Sequence, residues 1–382
     1  MLLDRLIKIF TSLKLTVACL ALGMVLVLLG TLAQRYLGLY KAQNEFFRSF
    51  FLFWGPNGAT WRIPVFPGGY LVGGVLLINL VAAHLKRFHL TRDKAGIWMV
   101  HLGLILLLVG QLGTDLLSRE SALHLREGET RNYSEADRQA ELVLMDTTQP
   151  DVDKVVAIPQ KLLRKKKEIT HPELPFVVRV KSFMPNSLVD NRPSDAAEPP
   201  PATEGIGPRA VVKELPRVTD TDHRDVPSAV IELVGSQGSL GTWLASEFIE
   251  QPQTFTYNSR SYSLALRPRR YYKPYSIQLL QFHHDVYAGT DIPKNFSSRI
   301  QLQRPDTGEN REVLIYMNNP LRYAGETYYQ ASFDVDNKGT ILQVVHNPSW
   351  LTPYFSCILV GLGLVVQFGK HLLGFTLKQR TA

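Results

Sequence analysis

The sequence predicts an α+β membrane protein: four transmembrane helices, with a large extracytoplasmic all-β domain, a sandwich or a partly closed barrel, between helices 3 and 4. Three observations carry this. Apolar residues make up 45% of the 382 residues, and the long uncharged runs among them fall into four blocks. The basic excess lies beside those blocks: residues 115–350 hold 28 Lys/Arg against 31 Asp/Glu, and the rest of the chain holds 14 against 3. The polar middle is built of short β-branched and aromatic runs bounded by Gly, Pro, Asn and Asp, the pattern of strands and turns.

The same distribution excludes whole classes of function. A net charge of +8 points to a nucleic-acid binder only if it forms a field on a folded surface. Here the polar middle is slightly acidic, so no nucleic-acid partner is expected, and the positive charge is placed where membrane topology uses it. The two cysteines, Cys19 and Cys357, both fall in apolar blocks. The polar domain therefore has no disulfide framework, CxxC pair or CxxCH motif.

The membrane domain covers residues 1–114. Its first span, 15–33 (LTVACLALGMVLVLLGTLA), is uncharged and long enough to cross the hydrocarbon layer. A cleaved leader would need a small-x-small site, and TLAQRY is a poor one, so a retained helix is expected. An aromatic outer loop, 34–69, follows, with turn signals at GPNG and FPGG. It is too apolar for a solvated linker and is expected to lie along the outer surface or under the large domain. The second span, 70–85, stops at Lys86-Arg87, and the third runs over 96–114. The extracytoplasmic β-rich domain occupies 115–350, with a Pro-rich insertion at 184–228 that carries eight prolines and reads as a mobile insertion or long loop. The fourth span and a cytoplasmic tail fill 351–382. Arg5, Lys8 and Lys14, then Lys86, Arg87, Arg92 and Lys94, then Lys370, Lys378 and Arg380 alternate correctly for four crossings. By the positive-inside rule all three regions, and both termini, are cytoplasmic.

No hydrolase elbow, phosphate loop, dinucleotide fingerprint or zinc spacing occurs. The chemical resource is histidine. His101 lies five residues into the third span, where an imidazole is costly unless it pairs or coordinates. Gly96, Gly103 and Gly110 recur at seven-residue spacing and offer a close-packing stripe. At 100° per residue His101 stands about 200° from Gly103, so it addresses another surface. Two readings are open for it: a hydrogen bond to a neighbouring helix, or ligation. His84 ends the second span near the head groups. His346 stands just before the fourth span on the outer side. His283 and His284 are adjacent in a strand and should face opposite sides. Asn79 and Gln111 read as helix-joining polar groups.

The pieces LLGTLAQ, GGYLVGGVLLINLVAAHLKRF, KAGIWMVHLGLILLLVGQLGTDLLSRES, MNNPLRYAGETYYQASF and GTILQVVHNPSWLTPYFSCILVGLGLVVQFG, in this order, resemble the ResB family of cytochrome c biogenesis proteins. The resemblance implies the smaller subunit of a system II haem–cytochrome c synthase in the bacterial cytoplasmic (inner) membrane. Such a subunit pairs with a ResC/CcsA-like membrane protein, carries haem b across the bilayer, and presents it to the CxxCH of apocytochrome c for thioether formation. The family's membrane haem site uses histidines within spans. His101 is matched to that site as axial candidate for the haem iron, with His84 and His346 as further cofactor-binding candidates. No catalytic residue is assigned, because the partner's WGxxWxWD motif is absent from this chain and synthase activity then requires a second chain. The alternatives are a structural scaffold or apocytochrome-docking subunit that touches no haem, and a membrane electron-transfer cytochrome.

Overall fold

A computed structural model describes residues 2–56, 61–87, 91, 94–165, 167–193, 195, 198–220, 223–290 and 293–380. Asn57 and Gly58 of the GPNG turn and Arg92 of the basic loop lie outside them. The chain divides into two compact units, residues 1–119 with 219–221 and 346–382, and residues 120–218 with 222–345.

The first unit opens with α1 (Leu2–Phe10) and α2 (Leu13–Leu37). Gly38, at a φ of 78°, ends α2 by donating its amide to Gln34 O at 3.1 Å, a conformation that favours glycine. The segment expected as a loop is largely regular. It holds α3 (Leu39–Ala42), one π turn (Gln43–Phe47), and an antiparallel hairpin of β1 (Phe51–Trp54) and β2 (Ile63–Pro67). Then come α4 (Gly69–Arg87) and α5 (Ala95–Leu117). After the second unit's α6 (Gln160–Leu163), the chain ends in α7 (Thr352–Arg380). α2, α4, α5 and α7 are each long and apolar enough to cross a membrane.

Asn79 joins helices as read: its amide donates to Phe10 O at 2.7 Å and accepts from Thr16 Oγ1 at 2.6 Å, tying α4 to the end of α1 and the start of α2. Such buried amide bonds hold spans where no hydrophobic force between helices exists. Gln111, in contrast, is exposed on α5.

The second unit is a β structure with two large hydrophobic cores and a smaller third. Its strands are β3 (Arg119–Arg126), β4 (Thr130–Asp146), β5 (Lys154–Pro159), β6 (Glu168–Ile169), β7 (Val177–Met184), β8 (Ser187–Asn191), β9 (Ala210–Glu214), β10 (Ser228–Gly235) and β11 (Gly238–Ser246). They continue with β12 (Gln253–Tyr257), β13 (Arg260–Val286), β14 (Pro293–Arg304), β15 (Glu309–Tyr316), β16 (Leu321–Tyr323), β17 (Glu326–Phe333) and β18 (Gly339–His346). One sheet runs β15-β14-β13-β4-β3-β18-β17-β16, with β12 and β5 added beside β13 and β4. Its ends approach, β15 against β16 and β17, so it curls into a nearly closed barrel. Leu125, Leu279, Ile300, Leu302, Ile315 and Leu342 fill it. A second sheet, β11-β10-β7-β6, covers the far ends of β4 and β13 through Leu142, Leu144, Val178, Ile231, Leu233 and Leu264. Barrel and sandwich thus share two long strands.

Two sequence runs, SYSLALRPRRYY and YSIQLLQFHHDVY, form the single strand β13. Its register against β4 slips at Pro268/Arg270 and Tyr272/Ile277. Pro268 and Pro274 lack ladder donors and are tolerated at such bulges, where the strand also bends from one core to the other. The Pro-rich stretch differs from the long loop expected. Its described residues include β8 and β9, paired from Ser187↔Glu214 to Asn191↔Ala210. Ala202 and Ala210 pack on Val230 and Leu244, and that burial supplies what the polar composition appeared to lack.

Candidate functional site

The glycine stripe of α5 meets α7. A Cβ on Gly96 would stand 2.7 Å from Gly363 O, one on Gly103 2.5 Å from Val360 Cγ2 and 2.9 Å from Ser356 O, and one on Gly110 2.5 Å from Thr352 Cγ2. Only glycine permits this approach. A seven-residue period keeps the stripe facing one partner helix. The face carrying His101 is therefore turned elsewhere, as its angular offset requires, and it meets α4.

There His84 and His101 come together. Their ring centroids are 5.4 Å apart and tilted by 49°. Trp98, one turn before His101 on the same face, sits edge-on to His84 at 3.9 Å. His84 is 5% exposed, so it is a packed wall residue rather than an interfacial one. The reason is that α4 continues to Arg87 and keeps His84 inside the helical contact. His101 is half-buried. Its Nδ1 lies 2.8 Å from Ile97 O, which can only accept. Nδ1 is therefore the donor in this contact. Anchoring one ring nitrogen to a carbonyl fixes orientation and raises the basicity of the other, as in many metal-ligating histidines.

The donor that this face offers is imidazole. Among the described residues no three His, Cys, Asp or Glu side chains converge as a metal cluster. A haem supplies its own equatorial ligands and asks the protein for axial ones only, and imidazole is among the commonest. His101, half-buried with Nδ1 held by Ile97 O, could serve as such a ligand, beside Trp98 and buried His84.

His346 is not part of this constellation. It ends β18, and its neighbour Asn347 lies within hydrogen-bond reach of Thr114, 3.4 Å away. Thr114 is thirteen residues along α5 from His101, about 20 Å at the helical rise. His283 and His284 also stay apart in role: His283 is exposed, whereas His284 packs 4.4 Å from Phe333 with Nδ1 3.0 Å from Asn337 Oδ1.

Sequence reasoning missed two features. Trp98 was marked only by its three-residue spacing from His101. At the opposite end of α5, Asp115, with a side chain 9% exposed, accepts from Arg48 Nε at 2.6 Å and from the Tyr70 hydroxyl. The signal was an acid at the end of an apolar span. This lock ties the segment after α2, the start of α4 and the end of α5 into one frame, and it keeps the α4–α5 contact in register.

Comparison with known proteins finds a likeness to ResB-like sequences over part of the chain. Residues 233–341, from the end of β10 to the start of β18, match the ResB-like family. The chain is also 26% identical over 294 residues to Protein NrfI of Wolinella succinogenes, a match covering 76% of this chain and 29% of that protein. The chain thus spans less than a third of the length of that relative. These findings bear out the resemblance carried by the sequence motifs.

Proposed function

We propose that this ResB-like chain is a membrane subunit of cytochrome c biogenesis, acting in a haem–cytochrome c synthase with a ResC/CcsA-like partner. It helps haem b cross the bacterial cytoplasmic membrane and reach the CxxCH of apocytochrome c. Support comes from the ResB-like match, the NrfI similarity and the four apolar helices. The observation that carries the haem reading is His101, with Nδ1 held by Ile97 O and its ring beside His84.

His101 would hold the iron, with His84 and Trp98 closing one side. When bound, the haem supplies reduced iron and the vinyl groups that become thioethers. This chain's own residues orient and exclude. The glycine contact with α7 gives His101 a rigid backing, the Asp115 lock sets helix register, and the apolar helix surfaces keep water from the ring. Orientation of this kind lowers the barrier to a reaction between two held groups. The basic residues beyond His84, among them Lys86 and Lys94, support a cytoplasmic location for that end by the positive-inside rule.

The test is co-expression of the full chain with a WGxxWxWD-bearing partner and a CxxCH reporter in a host without its own maturation system. Covalent cytochrome should form with both chains and fail with either alone. Formation without this chain overturns the proposal. The scaffold or apocytochrome-docking reading has its own observation: both cysteines lie in helices, so the β unit cannot form mixed disulfides with a dithiol substrate. It is favoured if covalent attachment needs this chain while His101→Ala leaves attachment unchanged.

A further inference from the structure

We propose that the β1–β2 hairpin is an interfacial anchor that lies in the headgroup–acyl boundary of the leaflet at the Asp115 end of the helices, its occupant being lipid. The hairpin is paired from Phe51↔Pro67 to Trp54↔Ile63. Phe51, Phe53, Trp54, Trp61, Ile63 and Val65 are all exposed. A strand half-buried on a soluble domain alternates apolar and polar residues. Here neighbouring residues on opposite faces, Phe53 and Trp54, are exposed and apolar alike, so both faces shun water. A lone two-stranded hairpin is marginal in water. Apolar surroundings on both sides remove that difficulty.

The surface that covers it is continuous with the spans. Gly68 donates to Phe50 O at 2.8 Å and Tyr70 to Ser49 O at 3.1 Å, so the base of the hairpin is bonded into the first turn of α4. A Cβ on Gly69 would run into the Phe47 backbone, so the segment leading into the hairpin packs directly on that helix end. The lipid-facing surface of α4 therefore passes directly into the hairpin. Open strand edges exclude the hydrocarbon centre, where unpaired N–H groups are costly. The interface tolerates them, and Pro64 and Pro67 remove two donors from β2. Trp54 and Trp61 are amphipathic rings of the kind that settle at headgroup level, and Arg62 can meet phosphate from there.

The test uses the full chain in phosphatidylcholine–phosphatidylglycerol vesicles. Trp98, Trp243 and Trp350 are replaced by Phe so that Trp54 and Trp61 report alone. A blue-shifted emission, quenched more by lipids brominated near the headgroup than by lipids brominated near the chain end, and protected from aqueous iodide, is expected. The wild-type spectrum minus that of a Trp54→Phe/Trp61→Phe variant gives the same reading if the triple variant does not fold. Strong iodide quenching overturns the proposal. So does insensitivity to both bromolipids together with a hairpin cross-link to a second copy, which would assign this surface to protein.

Discussion

Replacing Glu247 with glutamine should reverse a loss of stability that the wild-type β unit suffers as pH rises. Glu247 follows β11. Its side chain is 5% exposed, and Oε2 lies 3.5 Å from Arg224 Nη1 with no hydrogen-bond donor among the described residues. Burial pushes its carboxyl up from 4.5 to about 7, with Glu135 adding to the rise and Arg224 opposing it. Burial also raises Asp137 nearby. The sign follows from proton counting. Between pH 4.5 and 7 the folded chain keeps a proton on Glu247 that the unfolded chain has released, so stability is present at low pH and falls as pH rises through that window. A shift of this size corresponds to about 3 kcal/mol. For a unit of this length that is a change in Tm of about 6–12 °C. The assay is thermal unfolding of the full chain in detergent, followed by the far-ultraviolet β signal at pH 5 and pH 7.5. The variant, measured against wild type, should gain stability at pH 7.5 and change little at pH 5. An equal effect at both pH values, or a variant less stable at pH 7.5, would refute the reasoning.

Two further outcomes follow from contacts already described. Gly103→Leu should part α5 from α7, because its Cβ alone would meet Val360 and the Ser356 carbonyl, and overpacking of this kind costs about 1–3 kcal/mol. Thermal unfolding of the full chain in detergent should show the variant melting below wild type; an unchanged Tm contradicts the contact. Glu326→Ala should destabilise the barrel by about 3–5 kcal/mol, since it leaves Lys273 buried beside Tyr275 and Tyr328 without its carboxylate. Burial pushes the Tyr275 and Tyr328 hydroxyls above the usual tyrosine range, so they stay neutral and do not replace that charge. Denaturant unfolding measures this, and a change below about 1 kcal/mol, the level of an exposed pair, contradicts it.

The spans are legible because a membrane demands about 20 apolar residues in a row, a signal that no tertiary contact can rewrite. The glycine stripe and the opposite placement of His101 are equally legible, since both follow from helical angles alone. The strands are less so. β4 begins with polar residues, TRNYSEADRQ, whose strand character comes from pairing with β13 rather than from their own pattern. Two runs around Pro274 look separate because the proline suggests a break, whereas the bulges absorb it. The Pro-rich stretch misleads by composition, because its few apolar residues, such as Val189 and Val212, find partners far along the chain. The pairing of His84 with His101 depends on how α4 and α5 are phased. Histidine spacing along the sequence carries no such information.

Haem ligation by His101, as proposed, is open to one direct test. The direct measurement is the absorption spectrum of the full chain, purified with its partner in mild detergent and reduced. A b-type spectrum should be present in wild type, lost in His101→Ala while both chains still co-purify, and regained on adding free imidazole. A spectrum unchanged in His101→Ala, or a colourless wild-type assembly, would contradict the account.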